Sequence, residues 1–133
     1  MNMSSIFIAE DDNQLRRFYK MALESKGYKI LGLTGDGEEA ISLFKNLYKK
    51  PDIIILDYRM PNKNGIQILE EILKIENTAK IIFASADNKI KIEALSKGAK
   101  YFLDKPFSLE KLFKTVLKIL KRKDIKINNS IIS

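Results

Sequence analysis

The run Asp52-Ile53-Ile54-Ile55-Leu56-Asp57-Tyr58-Arg59-Met60-Pro61 decides the fold. Residues 53–56 are apolar without a break, and a carboxylate and a proline turn close the run. A surface helix shows one apolar stripe and a half-exposed strand alternates. A short run that is apolar at each position therefore reads as a strand covered on both faces, central in a parallel sheet. Ile6-Phe7-Ile8-Ala9 and Ile81-Ile82-Phe83-Ala84 read the same way.

Working outward, the pattern predicts strands over Ser5–Ala9, Tyr28–Leu33, Asp52–Leu56, Lys80–Ala84 and Lys100–Leu103. Helical spacing is expected over 12–26, 37–48, 64–76, 88–97 and 108–123. In the first of these, Leu15, Phe18, Tyr19, Ala22 and Leu23 form one apolar stripe. In the last, Leu109, Leu112, Phe113, Val116, Leu117 and Leu120 do so, opposite a lysine stripe of Lys111, Lys114, Lys118 and Lys121. Gly27 and Gly98 stand where helices need a left-handed cap, and Asp36 and Ser108 where helices begin.

Strand–helix alternation implies an α/β fold, a parallel sheet with helices on both faces. Lys29 and Gly32 make the second strand an edge. Short right-handed connections then favour a flavodoxin-like doubly wound sheet of five strands in the order 2-1-3-4-5. Ligands of such sheets bind beyond the C-terminal strand ends, where the order reverses between strands 1 and 3.

The chain has 133 residues, 45% of them apolar and 31% charged, enough for one domain with a real core. Residues 1–123 are expected to form that domain and 124–133 a flexible tail. Cys and His are both absent, which excludes disulfides, thiolate chemistry, Ser-His-Asp triads and a phosphohistidine of the chain's own. The net charge is +7, but residues 108–133 carry +5 of it, so no nucleic-acid face is spread over the domain and direct DNA binding is not expected. No apolar run approaches the ~20 residues that span a bilayer, so no membrane insertion is expected. With no leader-like segment either, the expected location is the cytoplasm.

Strand 1 ends in Glu10-Asp11-Asp12 and strand 3 in Asp57, so the crevice gathers carboxylates from separate parts of the chain. A phosphate-cradling loop would need glycine N–H groups there instead. Clustered carboxylates repel unless a cation intervenes, and an all-oxygen set suits Mg²⁺ or Mn²⁺. Strand 4 ends at Ser85-Ala86 and strand 5 runs into Lys105-Pro106, adding a hydroxyl and an ammonium. An ammonium suits a phosphoryl group, and the bond before Pro106 is a candidate for the cis form.

Taken in order, Phe7-Ile8-Ala9-Glu10-Asp11-Asp12, Leu56-Asp57-Tyr58-Arg59-Met60-Pro61 with Gly65, Ala84-Ser85-Ala86, Gly98-Ala99 and Lys105-Pro106-Phe107 resemble the response-regulator receiver domain. The resemblance covers residues 4 to about 121. It implies that Asp57 accepts a phosphoryl group from a phosphohistidine of a sensor kinase or a phosphotransfer protein, catalysing its own phosphorylation and dephosphorylation. Asp11 would bind Mg²⁺ directly and Glu10 through water, with Asp57 and the backbone carbonyl of Arg59 completing the set. Lys105 would pair with the phosphoryl oxygens, and Ser85 would hydrogen-bond the group and draw in the loop after strand 4. Phe102 matches the aromatic switch position, and Arg59 and Asp87 flank the path of the hydrolytic water, where an ion pair between them would gate it. The same resemblance implies an output through a protein target on the face of strand 4, helix 4, strand 5 and helix 5. Glu10 and Phe102 replace the commoner Asp and Tyr, and Asp12 lies one position past the acid pair. Two alternatives stand beside this reading: a phosphorelay intermediate that passes the group to a second His protein, and a small Mg²⁺-dependent nuclease.

Overall fold

The computed structural model describes residues 4–132, and the side chains of residues 4–121. The tail expected over 124–133 lies beyond the described side chains. Strands β1 (Ser5–Ala9), β2 (Lys29–Thr34), β3 (Ile53–Asp57), β4 (Ile81–Ser85) and β5 (Tyr101–Asp104) pair in parallel in the order β2-β1-β3-β4-β5. They alternate with α1 (Asn13–Ser25), α2 (Gly37–Asn46), α3 (Gly65–Ile75), α4 (Asn88–Ser96) and α5 (Leu109–Ile132). This is the flavodoxin-like sheet that the sequence pattern implied.

Strands β2 to β5 each lie one residue later than their apolar runs suggested. Polar residues close these strands, yet their backbones stay in the ladder: Asp57 stands opposite Ala84, and Ser85 opposite Asp104. Asp57 and Ser85 are thus strand residues, held by sheet hydrogen bonds.

The period-2 alternation sorts each strand onto two cores. Phe7, Ala9, Ile54, Leu56, Ile81 and Phe83 pack with Phe44 of α2, Leu69 and Ile72 of α3, and Ala94 of α4. Ile6, Ile8, Ile53, Ile55, Ile82 and Leu103 pack with Tyr19 and Leu23 of α1 and with Leu112 and Val116 of α5. Two residues depart from the expected stripes. Phe18 is 52% exposed and Leu117 42%, because each sits at the flank of its helix, outside the arc that meets the sheet.

Asp12, Asp36, Asn64 and Asp87 cap the first four helices, and the Ser108 hydroxyl accepts the Lys111 N–H at 3.1 Å. Gly27 and Gly98 have positive φ, as their cap positions required. Gly65 serves a different need. A Cβ there would lie 2.3 Å from the Asp57 carbonyl oxygen, so only glycine lets α3 start against the end of β3. No helix among the described residues is long and apolar enough to cross a membrane.

Candidate functional site

Strand parity decides which side chains meet. Ile6 and Ile8 face α1 and α5, and Glu10 is next in that series; Ile53 and Ile55 lead to Asp57, and Leu103 to Lys105. These three groups converge at the C-terminal end of the sheet. The Lys105 ammonium lies 2.6 Å from Glu10 Oε1 and 3.0 Å from Asp57 Oδ1. Glu10 and Asp57 are buried, and Lys105 is largely covered. The peptide between Lys105 and Pro106 is cis.

Two carboxylates against one ammonium leave the cluster net negative. Burial pushes the Glu10 carboxyl above its ordinary value; the Lys105 hydrogen bond opposes this, while the Asp57 charge adds to it. Burial alone would lower the Lys105 pKa, but its hydrogen bonds to Glu10 and Asp57 outweigh that and hold it above 10.5. The second carboxylate oxygen of Glu10 accepts the Asp12 N–H at 3.1 Å.

Asp11 is exposed at the crevice rim. The Asp12 side chain caps α1, accepting from the N–H groups of Gln14 at 2.9 Å and Leu15 at 3.0 Å. Arg16, one turn into α1, folds back on the loop and donates to the carbonyls of Glu10 at 2.7 Å and Asp11 at 3.3 Å. The neighbouring loops are also tied together. Gly37 N–H donates to the Pro61 carbonyl at 3.0 Å, and the Asn62 side-chain amide donates to the Asp36 carboxylate.

Ser85 has the opposite parity and faces the α2–α4 side of the sheet. Its buried hydroxyl accepts the Asp87 N–H at 3.1 Å. Arg59, Ser85, Ala86, Asp87, Asn88 and Lys89 line a cleft of about 450 Å³ over this edge. The cleft brings Arg59 and Asp87 to one opening, but the expected ion pair across it is not formed. The Asp87 carboxylate caps α4 instead, accepting the Lys89 N–H at 2.9 Å. Phe102 stacks on Phe83 with ring centroids 6.1 Å apart, and the Lys91 ammonium sits 5.9 Å from its ring centre. Asp104 turns away from Lys105, as alternation required, and faces Lys91 at 4.0 Å.

Among the described residues, no three Asp, Glu, His or Cys side chains are gathered closely enough to hold a metal alone. Mg²⁺ keeps several waters and takes one or two carboxylates together with phosphate oxygens. Glu10 and Asp57 are all-oxygen donors in a net-negative pocket, and Asp11 stands at its mouth.

Sequence reasoning passed over Arg16, Asn62 and Tyr19. The Tyr19 ring stacks on Phe107 with centroids 5.5 Å apart, which fastens α1 to the segment after Lys105, and burial pushes the Tyr19 phenol up to about 12. Asn62 was signalled by Pro61-Asn62-Lys63-Asn64-Gly65, a turn sequence in which Asn tolerates its observed positive φ. Arg16 and Tyr19 had no such signal, because their partners lie on other elements.

A parallel sheet in this strand order, with carboxylates and a lysine at its switch point, is the architecture of a receiver domain of two-component signalling. The chain belongs to the response regulator receiver domain family, whose model matches residues 6–117. It is 37% identical to the chemotaxis protein CheY of Thermotoga maritima over 118 residues, covering 87% of this chain and 97% of that one. It is 33% identical to the response regulator ArlR of Staphylococcus haemolyticus, covering 90% of this chain and 54% of that longer protein. In structure it resembles CheY of Borrelia burgdorferi, solved as a CheX-CheY-BeF3-Mg²⁺ complex, with a TM-score of 0.83 and 31% identity. That likeness covers 88% of this chain and 89% of the other.

Proposed function

We propose that Asp57 accepts a phosphoryl group from a phosphohistidine on a sensor kinase or phosphotransfer protein, and that the modified domain then engages a protein target. One observation carries the reading: Glu10, Asp57 and Lys105 converge at the switch point of the sheet, with Lys105 3.0 Å from the candidate nucleophile. The Asp57 carboxylate attacks phosphorus as the P–N bond breaks, and the departing imidazole takes the electron pair and then a proton. Lys105 neutralises charge on the incoming phosphoryl oxygens. Glu10, Asp11, Asp57 and the Arg59 carbonyl would hold Mg²⁺, which supplies further neutralisation of the phosphoryl charge. The Borrelia relative, solved with Mg²⁺ and BeF3, supports that ligand class. Water later attacks the phosphorus, the Asp57 O–P bond breaks, and inorganic phosphate leaves.

Ser85 and Phe102 are the proposed switch residues. Ser85, whose oxygen accepts the Asp87 N–H, would donate its O–H to the phosphoryl group and draw the β4–α4 loop inward, and Phe102 would follow through its stack on Phe83. Signalling then passes through the face of β4, α4, β5 and α5. Kinases that supply phosphohistidine draw on ATP, which assigns this reaction to the cytoplasm. A relay intermediate is the second reading, favoured by the exposed Phe18 and Met21 on α1, the helix that follows the acidic loop. Phosphotransfer from a panel of autophosphorylated kinases, with Asp57→Asn as control, tests both. Label that reaches wild type but not Asp57→Asn supports the reading, onward passage to a His protein makes it a relay, and equal labelling of both refutes it.

A further inference from the structure

We propose that Arg16 is a positioning residue, setting the affinity of the acidic site for Mg²⁺ by locking the β1–α1 loop. The inference rests on the metal site proposed above. The Arg16 Nη1 donates to the carbonyls of Glu10 at 2.7 Å and Asp11 at 3.3 Å, and its Nη2 donates to the Asn13 side chain. These bonds restrain the Glu10 and Asp11 carbonyls from the α1 side, beside the Glu10 N–H that donates to the Thr34 carbonyl at 2.9 Å. The side chain is already anchored at its base, where the Arg16 N–H donates to the Asp12 carbonyl at 2.9 Å.

The choice of acceptors matters. An arginine beside three carboxylates would ordinarily take one of them in a bidentate pair. Arg16 spends its donors on neutral acceptors, so it orders the loop without occupying the lone pairs a cation needs. This separates its role from that of Lys105, whose ammonium lies directly on Glu10 and Asp57.

A second element closes the clamp. Gly35, just after β2, lies so close that a Cβ there would stand 2.4 Å from Arg16 Nη1 and 3.3 Å from the Glu10 carbonyl oxygen. The nearer atom is the tip of a flexible side chain. Gly35→Ala would therefore displace the guanidinium, and the Glu10 carbonyl oxygen would have to give by a few tenths of an ångström. It breaks the clamp from the opposite side, with Arg16 unaltered.

Calorimetric titration with Mg²⁺ of wild type, Arg16→Ala, Arg16→Lys and Gly35→Ala tests this, with urea midpoints measured in the absence of metal. Groups that orient metal ligands typically govern affinity by about 10–100-fold. Arg16→Ala and Gly35→Ala are expected to raise the Mg²⁺ Kd by about tenfold or more. Arg16→Lys should recover part of it, since an ammonium reaches one carbonyl but cannot hold all three acceptors. Wild-type Kd values in both Arg16→Ala and Gly35→Ala would overturn the positioning role while leaving the metal site standing. Urea midpoints that fall with no change in Kd would overturn it too, reducing Arg16 to a stabilising contact. A wild type that binds no Mg²⁺ overturns the underlying site reading instead, and this inference with it.

Discussion

Replacing Lys105 by Met keeps the length of the side chain and removes its charge from a largely buried cluster. The Glu10 and Asp57 side chains are only 3% and 9% exposed, so both carboxylates lose their one close counter-ion. Leaving a buried charge without its partner costs about 3–5 kcal/mol. Protonation offers a cheaper escape. At pH 7, about 2.5 units above the ordinary Glu value, forcing a proton onto Glu10 costs at most about 3.4 kcal/mol, at about 1.36 kcal/mol per unit. The cheaper route sets the loss, so Lys105→Met is expected to fall by about 3 kcal/mol, or about 10 °C in Tm for a chain of this length.

The sign of the pH dependence follows. Glu10 already lies above 4.5 in the folded protein, and losing Lys105 removes an influence that lowers it. A raised carboxyl gives its stabilising contribution fully below 4.5 and loses it as pH rises through the folded value. Most of the gap between Lys105→Met and wild type should therefore close between pH 7 and pH 5. Mg²⁺ should stabilise the variant more than wild type, because a bound cation takes over the missing charge. Urea denaturation at pH 7, 6 and 5, with and without Mg²⁺, measures both effects. A loss under about 1 kcal/mol at pH 7, or a gap that stays constant with pH, would refute the reasoning.

Asp12→Ala removes the α1 cap and should cost about 1 kcal/mol while leaving the Mg²⁺ Kd unchanged; a weakened Kd would make Asp12 a ligand. The Lys50 ammonium holds the carbonyls of Phe44 at 2.5 Å, Leu47 at 2.9 Å and Lys45 at 3.2 Å at the end of α2. Lys50→Met should accordingly lose about 1–2 kcal/mol in urea denaturation, at any Mg²⁺ concentration. Arg59→Asn and Asp87→Ala should each shorten the lifetime of phosphorylated Asp57 by opening the cleft they line, as followed by loss of label at fixed Mg²⁺; equal or slower loss would remove both from any gating role.

The sheet was legible because its three inner strands each carry an unbroken apolar run of four residues, and only a strand covered twice needs that. The strand ends were less legible, for a physical reason: Asp57 and Ser85 look like loop residues by polarity, although the ladder still pairs them. The carboxylates could be assigned to one crevice from the strand order alone. That Lys105 would rest on Glu10 could not, since 95 residues separate them and the pairing depends on side-chain length. Arg59 and Asp87 illustrate the converse. Both line one cleft, but the start of α4 supplies Asp87 with a better partner than a solvated guanidinium.

The contacts around the crevice also divide its rim into a fastened half and a freer one. On one side, Arg16 ties the β1–α1 loop to α1, Asn62 and Gly37 tie the β3–α3 loop to the start of α2, and Gly65 N–H donates to the Tyr58 carbonyl at 2.7 Å. Each of these bonds crosses between elements or bridges a loop to its own helix. On the other side, the polar contacts of the β4–α4 loop are largely local: Asp87 N–H to the Ser85 hydroxyl, and Lys89 N–H to Asp87. Its cross-strand tie is the Lys105 N–H to the Ser85 carbonyl at 3.0 Å, which joins it to the residue that carries the ammonium. In the proposed reaction, a phosphoryl group arriving at Asp57 would pull on Lys105 first, and Lys105 is bonded through its backbone to Ser85. Displacement would then be channelled toward β4–α4 and the Phe83–Phe102 stack, while the acidic half would stay in place to hold the proposed cation.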